Sequence, residues 1–226
     1  PFVIAHLQVS LYLRRLGVTL PQEARVGIYL KNALTGLAAA QIERKAPVLV
    51  VLGNPPFNAF AGVQAGEEQE SVDVYKAGLG SIWKVRKFNL DDLFVRFFRL
   101  AERKIAEHGG RGVVCYISSA SYTADPSFVV MRERFLRQFD TITIDNLNGD
   151  SRETGKTTPD GAPDPSIFST GRNREGIRVG TAIGLFVLRA PEAARKDVAR
   201  VRWREFWGAR KRQSLLRSLD EVDDYA

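Results

Sequence analysis

Hydrophobic and polar positions change period several times along this chain, and each change marks an expected element. Ile4, Leu7, Leu11, Leu13 and Leu16 recur at near-helical spacing up to Gly17, which predicts a helix that stops there. Arg25–Leu30 alternates and predicts a strand with Lys31 and Asn32 at its carboxyl end, and the alanine-rich stretch Ala33–Lys45 predicts a partly helical segment. Val48–Leu52 is a short unbroken apolar run, the pattern of a strand buried on both faces of a parallel sheet, and Gly53 ends it. Residues 58–89 show no period and include the acidic Glu67-Glu68-Gln69-Glu70; such a length suits a lid, a binding loop or disorder.

From Asp91 to Glu107 the period is helical, with Leu93, Phe94, Phe97, Phe98, Leu100, Ala101 and Ile105 on one apolar face, Asn89 as N-cap and Gly109-Gly110 as the stop. Gly112–Ser118 predicts a second buried strand. Pro126–Phe139 predicts a helix with proline in its first turn and Asp125 as cap. Thr141–Leu147 predicts a β-branched strand ending at Asn148-Gly149. Residues 150–180 are rich in Gly, Pro, Asp, Ser and Thr and read as a long loop or a disordered segment, and Thr181–Leu188 predicts the final strand.

Strands alternating with helices imply a parallel sheet with right-handed crossovers. The last two strands are joined without a helix, which implies an antiparallel addition. The expected fold is therefore α/β, mostly parallel, with an antiparallel last strand. Open sheets of this kind place ligands at the carboxyl ends of their strands. Asn54-Pro55-Pro56-Phe57 falls at such an end, after the run Val48–Leu52. Two prolines fix φ and stiffen the turn, so a side-chain amide, a rigid carbonyl and an aromatic ring lie side by side. That set accepts hydrogen bonds from a planar amino group and stacks on the ring that carries it.

Composition excludes several classes. A chain of 226 residues with 44% hydrophobic content suits one α/β domain with a sizeable core. No apolar run approaches the roughly 20 residues of a membrane span, and no signal-peptide pattern opens the chain. The single cysteine, Cys115, forms no internal disulfide, fits a reducing cytoplasm and reads as a core residue rather than a nucleophile. With only His6 and His108 beside it, no metal-ligand spacing exists, and both histidines read as structural. Charge is concentrated: Arg195–Arg217 carries nine Lys or Arg against Asp197 and Glu205, an excess equal to the net charge of the whole chain, +7. Interleaved with Trp203, Phe206 and Trp207, this run suits a polyanion, and Arg202, Arg204, Lys211 and Arg212 are its candidate contacts; a solvated helix face explains the same charges.

Asn54-Pro55-Pro56-Phe57 resembles the Asn-Pro-Pro-Tyr/Phe motif of amino-group methyltransferases that use S-adenosyl-L-methionine. The order of the remaining segments is similar to bacterial adenine-N6 DNA methyltransferases of restriction–modification systems, especially the large single-chain enzymes with fused helicase and nuclease parts. Pro1–Leu16 looks like the segment after the family's second motif, and Arg25–Leu34 like the third. Phe94, Phe97 and Phe98 with Ala101-Glu102-Arg103 resemble the fifth, Gly110–Ser118 with Ser121-Tyr122 the sixth, Phe139–Leu147 the seventh and Gly180–Phe186 the eighth. Trp203–Gly208 resembles the exit towards a target-recognition region.

The resemblance implies a partial Rossmann-like methyltransferase sheet, a catalytic core over residues 1–190 and a basic exit segment over 191–226. It implies that Asn54 and Pro55 accept from the target amino group, that Phe57 stacks on an adenine flipped out of double-stranded DNA, and that Asn32, with Lys31 as neighbour, contacts the cofactor's adenine. The family's glycine-rich cofactor turn does not occur upstream of residue 48, and the acid that holds the ribose would lie just before Pro1. The expectation is accordingly a chain cut after the cofactor loop, without the strand beside Val48–Leu52, and unstable or unable to bind S-adenosyl-L-methionine by itself. Two rival readings stay open: a methyltransferase acting on protein glutamine or RNA, and a non-catalytic DNA-binding remnant.

Overall fold

The computed structural model describes residues 2–18, 21, 27–28, 34, 48–56, 72–88, 90–189 and 197–220. Helix α1 (Phe2–Arg15) is followed by strand β1 (Val50–Gly53). Helix α2 (Leu93–Glu102) continues as a π-helical turn, Arg103–Gly109, which ends at Gly110 with φ 68°. Strand β2 (Gly112–Ser119), the short helix α3 (Ser121–Ala124) and helix α4 (Val129–Gln138) come next. Strands β3 (Thr141–Asn146), β4 (Thr181–Leu188) and β5 (Arg200–Glu205) and helix α5 (Lys211–Arg217) complete the order.

The strands form one open sheet in the order β1-β2-β4-β3-β5. Strand β1 is parallel to β2 and β5 is parallel to β3, whereas β4 lies antiparallel between β2 and β3. Four strands thus run in one direction and share one carboxyl edge, with β4 alone reversed. The expected α/β architecture holds, with one correction. Thr181–Leu188 is not the final strand, because part of the basic segment becomes β5. The expected antiparallel strand is laddered to both neighbours, which places it inside the sheet.

Helices α2 and α4 cover one face. Phe94, Phe98, Ala101 and Ile105, spaced by three or four residues, are all buried and meet Val114, Tyr116, Ile142, Ile144, Ala182 and Phe186 from the strands. Phe98 is the hub, with ring centroids 4.9 Å from Tyr122, 5.2 Å from Tyr116 and 5.6 Å from both Phe135 and Phe186. Burying a side chain of that size stabilises by about 1.5–3 kcal/mol. On the opposite face Val113, Cys115, Ile117, Ile183, Leu185 and Val187 are only half-buried.

The stretch without a period contributes to this core. Val72, Tyr75 and Leu79 are buried around a 3-10 turn, Asp73–Tyr75. The Tyr75 hydroxyl donates to Glu102 (2.7 Å), which also accepts from Arg99 (2.8 Å) and Arg134 (2.7 Å), so the turn, α2 and α4 are tied at one buried carboxylate. Burial and the adjacent Glu102 charge push the Tyr75 hydroxyl well above its usual pKa.

Three local expectations change. Strand β1 is not buried on both faces: Val50 is 61% and Leu52 77% exposed on one face, while Val51 on the other packs against the core, and β1 pairs only to β2 among the described residues. Asp92 occupies the N-cap of α2 without a side-chain cap bond, and Asn89 lies outside the described residues. Residues 150–180 are ordered, for reasons set out below. Asp125 does cap as expected, accepting from the Ser127 N–H at 2.7 Å. The expected strand at 25–30 and the alanine-rich stretch 33–45 fall outside the described residues, apart from Gly27, Ile28 and Leu34. Helix α1 forms where its period predicts and leaves Val3, Ile4, Leu7 and Leu11 exposed.

Candidate functional site

Because β1, β2, β3 and β5 point the same way, the segments that follow them converge on one edge of the sheet. After β1 comes Asn54, exposed, then Pro55, buried, and Pro56, exposed. Pro55 is thus the buried residue of the turn, between two exposed ones. Just before it, Gly53 stands beside Tyr116 on β2, and a Cβ there would lie 3.1 Å from the tyrosine ring. The Tyr116 hydroxyl in turn donates to the carbonyl of Phe97 on α2 (3.3 Å), and burial pushes it above its usual pKa. The strand end that carries Asn54 is therefore set against the core through one aromatic ring. Phe57, Asn32 and Lys31 lie outside the described residues.

After β2, Ser119 and Ser121 share a hydrogen bond of 2.9 Å between hydroxyls, and the Ala120 N–H donates to Gly180 at the start of β4 (2.8 Å). After β3, Asn148 adopts φ 49° and Gly149 φ 76°, a left-handed pair that turns the chain back. Asn148 accepts from Asn146 Nδ2 (3.0 Å) and donates through Nδ2 to the carbonyl of Phe206 (3.2 Å), joining the ends of β3 and β5.

Two carboxylates order the loop 150–180. Asp150 accepts from the N–H groups of Arg152 (2.6 Å), Glu153 (2.8 Å) and Gly180 (2.7 Å), closing both ends of the loop. Burial works to raise its carboxyl, but those N–H groups outweigh it and hold Asp150 below the usual carboxylate range. Asp164, fully buried, accepts from Gly149 N–H (2.7 Å), Gly208 N–H (2.6 Å) and Lys211 Nζ (2.6 Å). Lys211 also donates to the Leu147 carbonyl at 2.6 Å. Burial lowers the pKa of this lysine, partly opposed by Asp164.

The four basic residues expected to meet DNA divide into two pairs. Arg204 is buried and bidentate on Asp145 (2.9 and 3.0 Å), with its guanidinium 4.9 Å from the centroid of Phe206. Lys211 is 2% exposed and spent on Asp164 and Leu147. Neither presents its charge to solvent, because each neutralises a carboxylate that the sheet edge buries. Arg202 is half-buried and Arg212 exposed, so these two keep the expected access.

What sequence reasoning missed at this edge is mostly hydrogen-bonding machinery: Asn146, Asn148, Asp150, Asp164 and Glu205. The Asn148-Gly149 pair, with its tolerance of positive φ, was the one signal for it. Cys115 lies half-buried on β2, its thiol pushed up by burial and by Asp145, which suits a strand residue and not a nucleophile. Among the described residues no group of His, Cys, Asp and Glu is arranged to hold a metal, and no helix is long and apolar enough to cross a membrane.

No protein-family model and no curated protein matches this chain. Its fold is similar to part of the cryo-EM structure of a DrdV–DNA complex, over 100% of this chain and 22% of that one, with TM-score 0.65 and 22% identity. It is also similar to a nuclease-deletion mutant of the Type ISP restriction–modification enzyme LlaGI in complex with a DNA substrate mimic. There it covers 83% of this chain and 18% of that one, with TM-score 0.60 and 19% identity. A third likeness is to the ATP-dependent Type ISP restriction–modification enzyme LlaBIII bound to DNA, over 87% of this chain and 13% of that one, with TM-score 0.55 and 20% identity. The shared property is the fold. The chain spans 22% or less of the length of each of these proteins.

Proposed function

We propose that this chain forms the target-binding side of a site that methylates the exocyclic N6 of adenine in double-stranded DNA, within a restriction–modification system. The observation that carries the reading is Asn54-Pro55-Pro56 at the carboxyl end of β1, with Asn54 exposed and Pro55 buried. The same fold in enzymes solved with DNA supports it.

An adenine amino nitrogen is a weak nucleophile because its lone pair is delocalised into the ring. Asn54 Oδ1 and the Pro55 carbonyl each accept one N–H of that group, which favours a tetrahedral nitrogen with its lone pair projecting from the ring plane. Two prolines hold the Pro55 carbonyl in a set direction before substrate arrives, so the contribution is positioning and electrostatics without a covalent intermediate. S-adenosyl-L-methionine, when bound, supplies an electrophilic methyl group on a sulfonium. Reaching this turn requires the base to leave the duplex, at a cost of a few kcal/mol, and Phe57 offsets part of that by stacking, on the order of 1–3 kcal/mol. Asn32 and Lys31 are assigned to the cofactor's adenine, and Arg202 and Arg212 to DNA phosphates.

The test is methyl transfer from labelled S-adenosyl-L-methionine by the full-length natural protein, offered duplex DNA, RNA and a glutamine-containing protein extract side by side. Label at adenine N6 in duplex DNA that disappears in Asn54→Ala, with duplex affinity unchanged, is the expected result. Label on RNA or glutamine overturns the substrate assignment. No label on any acceptor, with DNA still bound, leaves the binding remnant.

A further inference from the structure

At the far rim of the sheet, the end of β5 carries an arrangement that the methyl-transfer reading does not use. The indole N–H of Trp203 donates to Glu205 Oε1 (3.3 Å) and that of Trp207 to Glu205 Oε2 (3.0 Å), so one exposed carboxylate holds two tryptophans. Asn146 Nδ2, on the neighbouring strand, lies 3.5 Å from the same Oε1. Phe206, between the two indoles in sequence, turns inward under Arg204, whereas Trp203 and Trp207 are only half-buried. Trp203 packs against the core on its inner side and is fixed in position. Arg210 and Arg212 are exposed immediately after Trp207, and Arg202 is half-exposed immediately before Trp203.

Arginines on an edge strand have an ordinary use: they block pairing with another chain. That explains Arg200 and Arg202. It does not explain two indoles pinned by a shared carboxylate, since blocking requires charge and no aromatic surface. With both N–H groups satisfied internally, the rings offer a partner their π surface and little else. Nucleobases present complementary flat faces, and arginines beside the rings suit the phosphates that accompany them. In an intact duplex those faces are covered by neighbouring base pairs, so the surface is useful only to an unstacked base.

We infer that Trp203 and Trp207, held by Glu205 and followed by Arg210 and Arg212, form a stacking surface for an unpaired nucleobase of DNA. The inference rests on the proposed DNA substrate. It places a second contact on the carboxyl edge that carries Asn54, four strand positions away, which at about 4.8 Å per strand is roughly 19 Å. One DNA molecule can span both.

The probes are fluorescein-labelled oligonucleotides of one sequence: an intact duplex, the same duplex with a single-nucleotide bulge, and a single strand. Binding to the full chain is read by anisotropy without cofactor. The bulged duplex and the single strand should bind tighter than the intact duplex, and Trp207→Ala should remove that preference, a change of about 5- to 160-fold. Trp207→Phe, which keeps a stacking ring, should retain most of it. Arg210→Gln with Arg212→Gln should weaken all three probes alike and flatten the salt dependence. In a Trp83→Phe background the bulged duplex should also quench tryptophan emission while the intact duplex does not, a readout that requires no destabilising variant. Equal affinity for the three probes, or no binding, overturns the inference; so does a preference that survives Trp207→Ala. Methyl transfer to RNA or protein would overturn the substrate assignment above and leave these affinities standing.

Discussion

Replacing Lys211 by methionine separates two roles that charge alone cannot. As a surface lysine, its loss would cost little stability and would lower affinity for a polyanion. As found, its ammonium is 2% exposed and lies 2.6 Å from an Asp164 carboxylate that is fully buried. Removing one partner of a buried ion pair costs about 3–5 kcal/mol, because the remaining charge stays desolvated. Here the loss sits near the lower end, about 3 kcal/mol, since Asp164 keeps the N–H groups of Gly149 and Gly208 and methionine fills most of the lysine volume. The comparison is Arg212→Ala, an exposed site expected to stay within about 0.5 kcal/mol. Urea unfolding followed by far-ultraviolet circular dichroism reads both, as midpoint shifts at constant slope. A second substitution, Asp164→Asn in the Lys211→Met background, should recover part of the loss, because the orphaned charge goes with it. Duplex affinity of the folded variant should match wild type. If Lys211→Met unfolds no more easily than Arg212→Ala but binds DNA less tightly with a smaller salt slope, the lysine faces nucleic acid and the buried brace is refuted.

Other perturbations probe different links. Arg96 is 2% exposed, its Nε and Nη1 meet no acceptor among the described residues, and Nη2 lies 3.6 Å from Asp91; Arg96→Met should therefore leave stability unchanged or raise it by up to about 1–4 kcal/mol, and a melting temperature that falls would count against this. Asp150 is held below the usual carboxylate range in the folded state, so its contribution is present above about pH 4, the unfolded value, and is lost as pH falls through the folded one; Asp150→Asn should flatten the acid limb of stability against pH. At Gly112, φ is 145° and a Cβ would sit 2.6 Å from the Leu49 carbonyl oxygen, so Gly112→Ala should cost more than about 1 kcal/mol and loosen β1 first, visible as faster amide exchange there than in β4.

Much of the sheet was legible because its residues repeat the period of their elements. Phe94, Phe98, Ala101 and Ile105 give α2 its buried face, and β3 and β4 lie within a residue of where β-branched and apolar runs predict them. The turn around Tyr75 was not legible: a three-residue turn has no period, and its burial depends on Glu102, 27 residues away. Strand β5 was hidden for a related reason. Arg204 faces inward only because Asp145, 59 positions earlier, lies beside it in register, so an arginine that reads as a surface charge is an interior one. At the site, the strand-end position of Asn54 followed from the apolar run before it. The exposure of Val50 and Leu52 did not, because an apolar run does not say which of its two faces is covered.

The one-sided pairing of β1 among the described residues bears on the order in which the sheet loosens. Four residues long and laddered on one side only among the described residues, β1 is held to the core by Val51 and by Gly53 against the Tyr116 ring, so its loosening is felt first at Tyr116. Its amides should then exchange through a local opening, while those of β4, flanked on both sides, wait for global unfolding. Asn54 and Pro55 travel with that strand. Any ligand that binds only the docked form raises its population by mass action, so substrate affinity and strand docking share one free energy. Strengthening the β1–β2 ladder would tighten binding without altering a single contact to the ligand.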